Sequence, residues 1–448
     1  MSTDDTSDDF PASKLERSGL FAKTGLKVGK NYAQYLMDRA TGADDPEARK
    51  RELNTQNARD LFKEFTRLRG TALKLAQSMS LDTGLLPDEF MEVMAEAQYS
   101  VPPMNRALVR KRVRDGLGRF PELLFNEFEP EAMAAASLGQ VHRARLDEGR
   151  EVAVKVQYPN VRETIESDLA VARTLFERLI QGEDLDDHFE EVKARLQEET
   201  DYLHEAENIF HFAAEYDSDT LVIPRPVCEL TSETVLTMTY VEGEHLDTFL
   251  DAEPDQKTRD RFGQLLWDFL HGQVASNART LHADTHPGNF LFRTDGRLGV
   301  IDFGCVKTFP QQFRDDMLRL YRARMVDDED EIERLLYTLG ILREDLPEDT
   351  QDKLRRFFDR YGSLIVEPYR QSSFDFSNPD FQARLQASFK AASELRAATG
   401  SPHFIFLNKA LVGVLNLLTQ LGARVDTTES VSLLNEALAD LGCDPVGY

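Results

Sequence analysis

Apolar residues recur along this chain with two different periods, one typical of strands and one typical of helices. Short apolar or alternating runs predict strands, with alternating faces at 150–159, and a hairpin closed by Thr294-Asp295-Gly296. The predicted strands are 141–146, 150–159, 221–227 and 234–239, and the hairpin is 289–301. Apolar residues spaced three or four apart predict helices at 57–80, 87–98, 105–117, 161–180, 186–216, 255–280, 309–325, 329–339, 350–361, 379–399 and 404–421.

Two acids and one amide stand at informative separations within 281–304, LHADTHPGNFLFRTDGRLGVIDFG. Asp284 precedes Asn289 by five residues and Asp302 by eighteen. Because a hairpin brings its two ends together, we expect Asn289 and Asp302 to lie side by side. Protein kinases carry H-x-D-x-x-x-x-N and D-F-G in this order, for a base and two magnesium ligands. A chance D-F-G beside a packed His282 is the alternative, which the joint match of residue types and order disfavours.

One lysine stands among the valines of the predicted strand at 150–159. Lys155 in V-A-V-K corresponds to the third strand of a protein kinase. Where a kinase has a glycine-rich loop before this strand, the chain has Ala134, Ala135, Ala136 and Ser137, and a single glycine, Gly139. Alanine resists positive φ, so this stretch is not expected to cover phosphates in the conformation of a glycine-rich loop.

Two further sets of polar residues lie on predicted helices. The predicted helix at 186–216 carries an acidic patch that consists of Glu198, Glu199, Asp201 and Glu205. Of these, Glu198, Asp201 and Glu205 share one face of the helix at i, i+3, i+7 spacing. The patch fits either a solvated helix face or the proximity of cations, the candidates being Lys155, magnesium and Lys74. Lys74 and Gln77 share a face of the helix at 57–80, where polar residues also fit the exposed side of an amphipathic helix.

The motifs as a set resemble the UbiB family, the AarF-type atypical kinases. In chain order, over about 57–310, they are K-L-A-Q, A-A-A-S-L-G-Q-V-H-x-A, V-A-V-K-V-Q-Y-P, E-T-D-Y-x-x-E-A, H-A-D-T-H-P-G-N and I-D-F-G. The resemblance implies an α+β, bilobal protein-kinase-like fold. Its expected parts are an acidic tail and basic leader at 1–56, a helical extension at 57–125, an N-lobe at 126–243 and a mostly helical C-lobe at 244–448.

The resemblance also implies roles for the residues already singled out. Lys155 would contact the α- and β-phosphates of ATP or ADP, with Glu205 as its ion-pair partner. Asp284 would be the catalytic-loop acid, and Asn289 and Asp302 would hold Mg²⁺. The remaining expected site residues are Ala134, Ala135, Ala136 and Ser137 over the nucleotide, and Lys74 and Gln77 of an extension packed over the site, facing Glu199 and Asp201. Residues 240–243 resemble the hinge between kinase lobes, where adenine binds.

The function implied by the family is an unorthodox kinase or ATPase that supports coenzyme Q or prenyl-lipid metabolism. A phenolic or prenyl lipid, an anionic membrane and lipid-biosynthesis enzymes are the implied partners. Two alternatives stay open: a protein or small-molecule kinase, and a nucleotide-gated scaffold without catalysis. Two departures from the family pattern stand out. Ala76 replaces the glycine of K-x-G-Q, and Thr285 replaces a common proline, which is expected to loosen the catalytic loop.

Composition restricts the compartment and the partners. A formal charge of −26 argues against nucleic acid as a general partner, because phosphate binding needs a basic surface. Cysteines are too few and scattered for a disulfide framework or a zinc site, which indicates the cytoplasm; they are Cys228, Cys305 and Cys443. No secretory signal is expected, and 404–421 carries polar residues that favour a helix buried in protein over a membrane span.

The net charge of the chain changes from negative to positive within the first thirty residues. Residues 1–13 are acidic and expected to be disordered. Residues 14–30 place lysines and one arginine between apolar residues, a pattern that can lie on an anionic membrane surface. Glycines weaken any helix there, so a solvated leader is the favoured interpretation and peripheral membrane contact the alternative.

Overall fold

The computed structural model describes residues 51–60, 103–136, 138–179, 190, 193, 196–394 and 401–447. Lys74, Gln77, Ser137 and the leader therefore lie outside the described residues, as does most of the predicted extension. Two compact units divide the chain. The first comprises Met1–Ala206 with Pro226–Tyr240, and the second comprises Glu207–Arg225 with Val241–Tyr448.

The helices and strands carry the following labels. Strands are β1 Glu127–Phe128, β2 Ala134–Ala136, β3 Gly139–Arg145, β4 Glu151–Gln157, β5 Leu221–Val222, β6 Val235–Thr239, β7 Thr280–His282, β8 Phe290–Phe292, β9 Leu298–Val300, β10 Val306–Thr308, β11 Ser373–Asp375 and β12 Arg424–Asp426. Helices are α1 Arg106–Leu117, α2 Val161–Leu179, α3 Tyr202–Tyr216, α4 Leu246–Asp251, α5 Gln256–Ala275, α6 Gln311–Met325, α7 Glu329–Thr338, α8 Glu348–Val366, α9 Pro379–Glu394, α10 Pro402–Leu421 and α11 Thr428–Ala439.

An antiparallel sheet forms the centre of the first unit. Its strands run in the order β1-β3-β4-β6. Strand β2 pairs with the first three residues of β3, and β1 pairs with the last two. Helix α1 begins at the cap Asn105, whose side chain accepts a hydrogen bond from the Leu108 amide, and packs on β4 and β6. Val109 and Val113 on its inner face are fully buried. The sheet and α1 thus form one hydrophobic layer that supports Lys155.

Strand β4 is buried along almost its whole length, so the prediction of alternating faces is wrong. Residues 152–157 are all buried, including Lys155 and Gln157. Helix α1 packs against the sheet here, and the start of α3 brings Tyr202 and Glu205 to Lys155. A strand that has neighbours on both faces loses the polar alternation expected of a half-exposed one.

The predicted helix over 186–216 is also wrong as a single element. Within its described part, residues 196–199 are helical, Thr200 is a turn, and α3 begins at Tyr202. The Asp201 carboxylate accepts hydrogen bonds from the amides of Leu203 and His204, at 3.1 Å and 3.3 Å, and so caps the new helix. The i, i+3, i+7 face proposed for the acidic patch therefore does not exist across this break.

The second unit is mostly helical in its described part and is built around α5. This helix packs against α10 and α11, and its Trp267 is buried and donates to the Ser430 hydroxyl at 2.9 Å. The predicted hairpin is confirmed: β8 and β9 pair antiparallel, and β5 adds a parallel strand beside β9. Gly296 in its turn has φ +77°, a conformation that favours glycine. The β11–β12 pair and α11 were not predicted.

No helix among the described residues is long and apolar enough to cross a membrane. This includes α10, which covers the segment expected to be a buried helix. Its Ala410, Val414 and Leu417 are nearly fully buried.

Candidate active site

In the second unit, the loop that carries Asp284 and Asn289 lies between two short strand pairs. Strand β7 pairs antiparallel with β10, and the Ala283 amide continues the pairing by donating to the Cys305 carbonyl at 2.9 Å. A single turn of 3₁₀ helix, Pro287–Asn289, then leads into the hairpin. The Ile301 amide donates to the Asn289 carbonyl at 3.1 Å. The main chain thus places Asn289 beside Ile301, the residue before Asp302, as expected for the two ends of the hairpin.

Asn289 is bonded directly to Asp284. Its Nδ2 donates to the Asp284 carbonyl at 2.8 Å and to carboxylate Oδ2 at 3.0 Å. With Nδ2 committed in this way, Oδ1 is the amide atom able to accept or to ligate a cation. The two residues therefore form one unit, in which the amide fixes the orientation of the acid.

Asp302 is positioned by its own main chain. Its Oδ1 accepts from the Gly304 amide at 3.0 Å, and its carbonyl accepts from His282 Nε2 at 2.7 Å. Burial lowers the pKa of His282, so the ring is neutral and carries its proton on Nε2. The next residue, Phe303, is fully buried against His282 and Phe212. His282 is therefore a packed histidine that also anchors the D-F-G segment.

Lys409 was not among the predicted site residues, yet it contacts the central acid. Its Nζ lies 2.7 Å from Asp284 Oδ1. The two side chains are 29% and 25% exposed. The signal in the sequence was one lysine inside an apolar segment of helical period, since a charge there needs a nearby partner.

Thr285 is hydrogen-bonded to a neighbouring helix, and the expected loosening of the loop relative to a proline stays a prediction. The residue is buried, and its hydroxyl donates to the Ala410 carbonyl of α10 at 3.1 Å. A proline at this position has no group that could make this bond. The departure from the family pattern thus replaces a rigid residue with a hydrogen bond to a neighbouring helix.

In the first unit, Lys155 and Glu205 form a buried ion pair. The lysine Nζ lies 2.8 Å and 2.9 Å from the two carboxylate oxygens, and the side chains are 9% and 4% exposed. The ammonium also lies 5.2 Å from the centre of the Tyr202 ring. The structure brings these two predicted residues together, while their roles toward a nucleotide stay predictions.

The other predicted residues of this unit have different surroundings. Asp201 caps α3, Glu199 is half-buried and Glu198 is exposed. Ala134, Ala135 and Ala136 form β2, an extended strand paired with β3, so they adopt none of the positive φ angles of a glycine-rich loop. This extended strand agrees with the expectation that alanine does not adopt the conformation of a glycine-rich loop.

Gln140 and His142, which follow the alanine strand, make structural hydrogen bonds in this chain. Gln140 is buried; its Oε1 accepts from the Met104 amide at 2.6 Å, and its Nε2 lies 2.8 Å from His142 Nε2. His142 Nδ1 lies 2.9 Å from the Glu129 carbonyl, and burial lowers the pKa of this ring. The neutral ring thus donates from Nδ1 and accepts at Nε2. These bonds fix the segments on either side of the alanine strand.

The donor set suits magnesium. The described residues contain no group of three or more histidine, cysteine or acidic side chains that could hold a metal by themselves. Asn289 Oδ1 and the Asp302 carboxylate are hard oxygen donors, and magnesium is usually held by one or two carboxylates together with phosphates. The residues therefore fit a cation that arrives with a nucleotide.

Comparison with known proteins supplies the family. The model of the ABC1 atypical kinase-like domain matches residues 96–336. The atypical kinase COQ8 of Saccharomyces cerevisiae mitochondria is 27% identical over 94% of this chain and 84% of its own length. The probable serine/threonine-protein kinase abkA of Dictyostelium discoideum is 24% identical over 94% of this chain and 78% of its own length.

A solved structure shares the fold. Rv3197 of Mycobacterium tuberculosis, solved in complex with erythromycin, is 26% identical with a TM-score of 0.57. The match covers 87% of this chain and 98% of that one. The predicted α+β kinase-like fold is thereby confirmed.

Proposed function

This chain belongs to the ABC1 atypical kinase-like family, as its resemblance to UbiB proteins predicted, and from that premise we propose that it binds a Mg-nucleotide and hydrolyses ATP or transfers its terminal phosphoryl group. One observation carries the proposal. The acid Asp284 and the amide Asn289 are hydrogen-bonded to each other in the loop that precedes the D-F-G segment. An acid oriented by an amide in this position is the arrangement that a catalytic base beside a metal-binding asparagine requires.

The residues present supply the positioning and charge that phosphoryl transfer requires. Asp284 orients an attacking hydroxyl or water and accepts its proton. The amide of Asn289 fixes the acid, and its Oδ1 together with the Asp302 carboxylate would hold Mg²⁺. Magnesium, when bound, neutralises charge on the phosphates. Lys155, oriented by Glu205, binds the α- and β-phosphates as a point charge with three donors.

Family membership supports the choice of acceptor. The yeast relative carries the name COQ8, and the family link is to coenzyme Q. We place this chain in support of coenzyme Q or prenyl-lipid metabolism, with a phenolic lipid precursor or water as acceptor. An anionic membrane surface, reached through 14–30, and lipid-biosynthesis enzymes are the corresponding partners.

A second candidate is a protein kinase, favoured by the name of the Dictyostelium relative. It differs from the first in one measurable respect, since a protein kinase leaves a stable phosphate on a macromolecule. Incubation with labelled ATP and a cell extract, followed by separation of protein from lipid, distinguishes the two acceptors.

Mg-dependent ATP hydrolysis with and without anionic vesicles tests the first proposal, with Asp302→Asn as the control. Turnover that rises with vesicles and disappears in the variant supports a membrane-stimulated ATPase. If the unmodified chain shows no turnover above the variant in either condition and labels no acceptor, the catalytic proposal is wrong, and a nucleotide-gated scaffold takes its place.

A further inference from the structure

Helix α10 approaches the catalytic loop very closely at one residue. A Cβ at Gly413 would overlap the hydroxyl oxygen of Thr285 and would lie 2.8 Å from its carbonyl oxygen. Gly413 is not among the residues with positive φ, so the position needs the small size of glycine and not its backbone freedom. Glycine inside a helix costs about 1 kcal/mol relative to alanine. Gly413 therefore lowers the intrinsic stability of α10 at the point where this helix contacts Thr285, the residue after Asp284.

Lys409 lies on the same face of α10, one turn before Gly413. Residues four apart share a helix face, so the contact of Gly413 with the loop also directs Lys409 toward it. The ammonium reaches Asp284 Oδ1, while Asp284 Oδ2 accepts from Asn289. The acid is thus held on one side by an amide and on the other by a cation that belongs to a distant part of the sequence.

The ion pair is poorly explained as a stabilising device. With both side chains about a quarter exposed, a pair of this kind contributes about 0–1 kcal/mol. The hydrogen bond from Thr285 and the Gly413 contact already attach α10 to the loop. The neighbours Phe406, Leu407 and Ala410 are buried and apolar. What a lysine adds at this position is positive charge beside the acid.

We propose that Lys409 belongs to the phosphoryl-transfer site, where its ammonium stabilises negative charge on the transferred phosphoryl group while it keeps Asp284 oriented. This inference rests on the proposed function. A lysine ammonium carries three donors and a full positive charge, so it can bond to Asp284 and still attract phosphoryl oxygens beside it. Fixed charge aimed at a transition state is among the largest catalytic effects.

The chemical step adds no reactant. The acceptor oxygen, of water or a hydroxyl, forms a bond to the γ-phosphorus, and the bond from that phosphorus to the bridging oxygen of ADP breaks. The electron pair stays on ADP, and the acceptor proton passes to the Asp284 carboxylate. Lys409 keeps its proton throughout and acts only through charge and hydrogen bonds.

The test measures the affinity for Mg-ADP with and without aluminium fluoride, which imitates the transferred phosphoryl group. In Lys409→Met we expect the affinity for Mg-ADP to stay within about threefold, since ADP lacks the group that Lys409 would contact. In the same variant, the factor by which aluminium fluoride raises the affinity for Mg-ADP should fall at least about tenfold, and kcat should fall about 100-fold. Lys409→Arg should restore part of both, because it keeps the charge.

Lys307→Met is the matched control. The ammonium of Lys307 lies 4.8 Å from the ring centre of Phe406, which is on α10 with Lys409. The substitution therefore removes a positive charge near α10 and leaves the ion pair of Lys409 with Asp284 in place. We expect it to keep the fluoride-dependent gain. Should Lys409→Met be poorly folded, Lys409→Gln, a neutral side chain that keeps hydrogen-bonding groups, carries the comparison.

Three results would each overturn the inference. In the first, aluminium fluoride raises the affinity of Lys409→Met for Mg-ADP as much as it raises that of the unmodified chain. In the second, Lys409→Met hydrolyses ATP faster than the unmodified chain, and in the third, the unmodified chain binds Mg-ADP but aluminium fluoride does not raise its affinity. The last leaves nucleotide binding intact. If the unmodified chain binds no nucleotide at all, the proposed function itself has failed, and this inference fails with it.

Discussion

Lys155 and Glu205 form a two-oxygen ion pair that is almost completely removed from solvent, with both N–O distances below 3 Å. Removal of one member leaves the other charged and buried, which costs about 3–5 kcal/mol. We expect Lys155→Met and Glu205→Gln each to lower the free energy of unfolding by this order, as measured by urea denaturation.

The double variant Lys155→Met with Glu205→Gln is the control for this prediction. It removes both charges, so it should lose clearly less than the sum of the single losses. Single variants within about 1 kcal/mol of the unmodified chain would show that the pair is solvated in solution.

The contact of Gly413 with Thr285 predicts an unfavourable alanine. Alanine raises helix propensity by about 1 kcal/mol, but here its methyl group would overlap the Thr285 hydroxyl. Forced overlap of this kind costs about 1–3 kcal/mol. We expect Gly413→Ala to lower the melting temperature.

Gly272 in α5 provides the comparison. A Cβ there would meet only Tyr216, at an ordinary 3.5 Å. Gly272→Ala should therefore leave the melting temperature unchanged or raise it. Equal effects of the two substitutions would mean that α10 does not press on the loop.

His271 predicts a specific dependence of stability on pH. The ring is completely buried, its Nδ1 lies 2.6 Å from the Trp267 carbonyl and its Nε2 lies 2.7 Å from the Tyr369 hydroxyl. Burial lowers the pKa of His271 from 6.5 to about 4 and raises that of Tyr369, so both groups are neutral at pH 7. Below pH 6.5 the unfolded chain takes up a proton that the folded chain does not.

The stability that depends on His271 is therefore complete above pH 6.5 and is lost as pH falls toward 4, by about 3 kcal/mol in total. His271→Gln removes the titrating group. Its free energy of unfolding should fall less steeply between pH 6.5 and 4 than that of the unmodified chain. Parallel slopes for the two proteins would contradict the assignment.

Local patterns predicted the hairpin and the strand that carries Lys155, because turn chemistry and apolar spacing act over a few residues. The helix over 186–216 failed for a local reason as well. Thr200 and Asp201 are residues that favour caps over helix interiors, and the acidic run concealed that signal. The buried faces of β4 could not be predicted, since they depend on α1 and on the start of α3.

The contact of Lys409 with Asp284 joins positions 125 residues apart. No spacing rule reaches so far, and the apolar residues around Lys409 made its segment resemble ordinary core. Thr285 is a similar case, because its effect on the loop depends on a carbonyl of α10. Such pairings arise from tertiary packing, which a single sequence does not specify position by position.

The most direct test of the account is equilibrium binding of ATP by calorimetry, with and without Mg²⁺, for the unmodified chain and for Asp302→Asn. We predict saturable binding that requires Mg²⁺ and weakens at least about tenfold in the variant, because Asp302 supplies the carboxylate ligand. Two results would contradict the assignment of a Mg-nucleotide site to this chain. One is that the unmodified chain does not bind ATP, and the other is that its affinity for ATP is unchanged both by removal of Mg²⁺ and by Asp302→Asn.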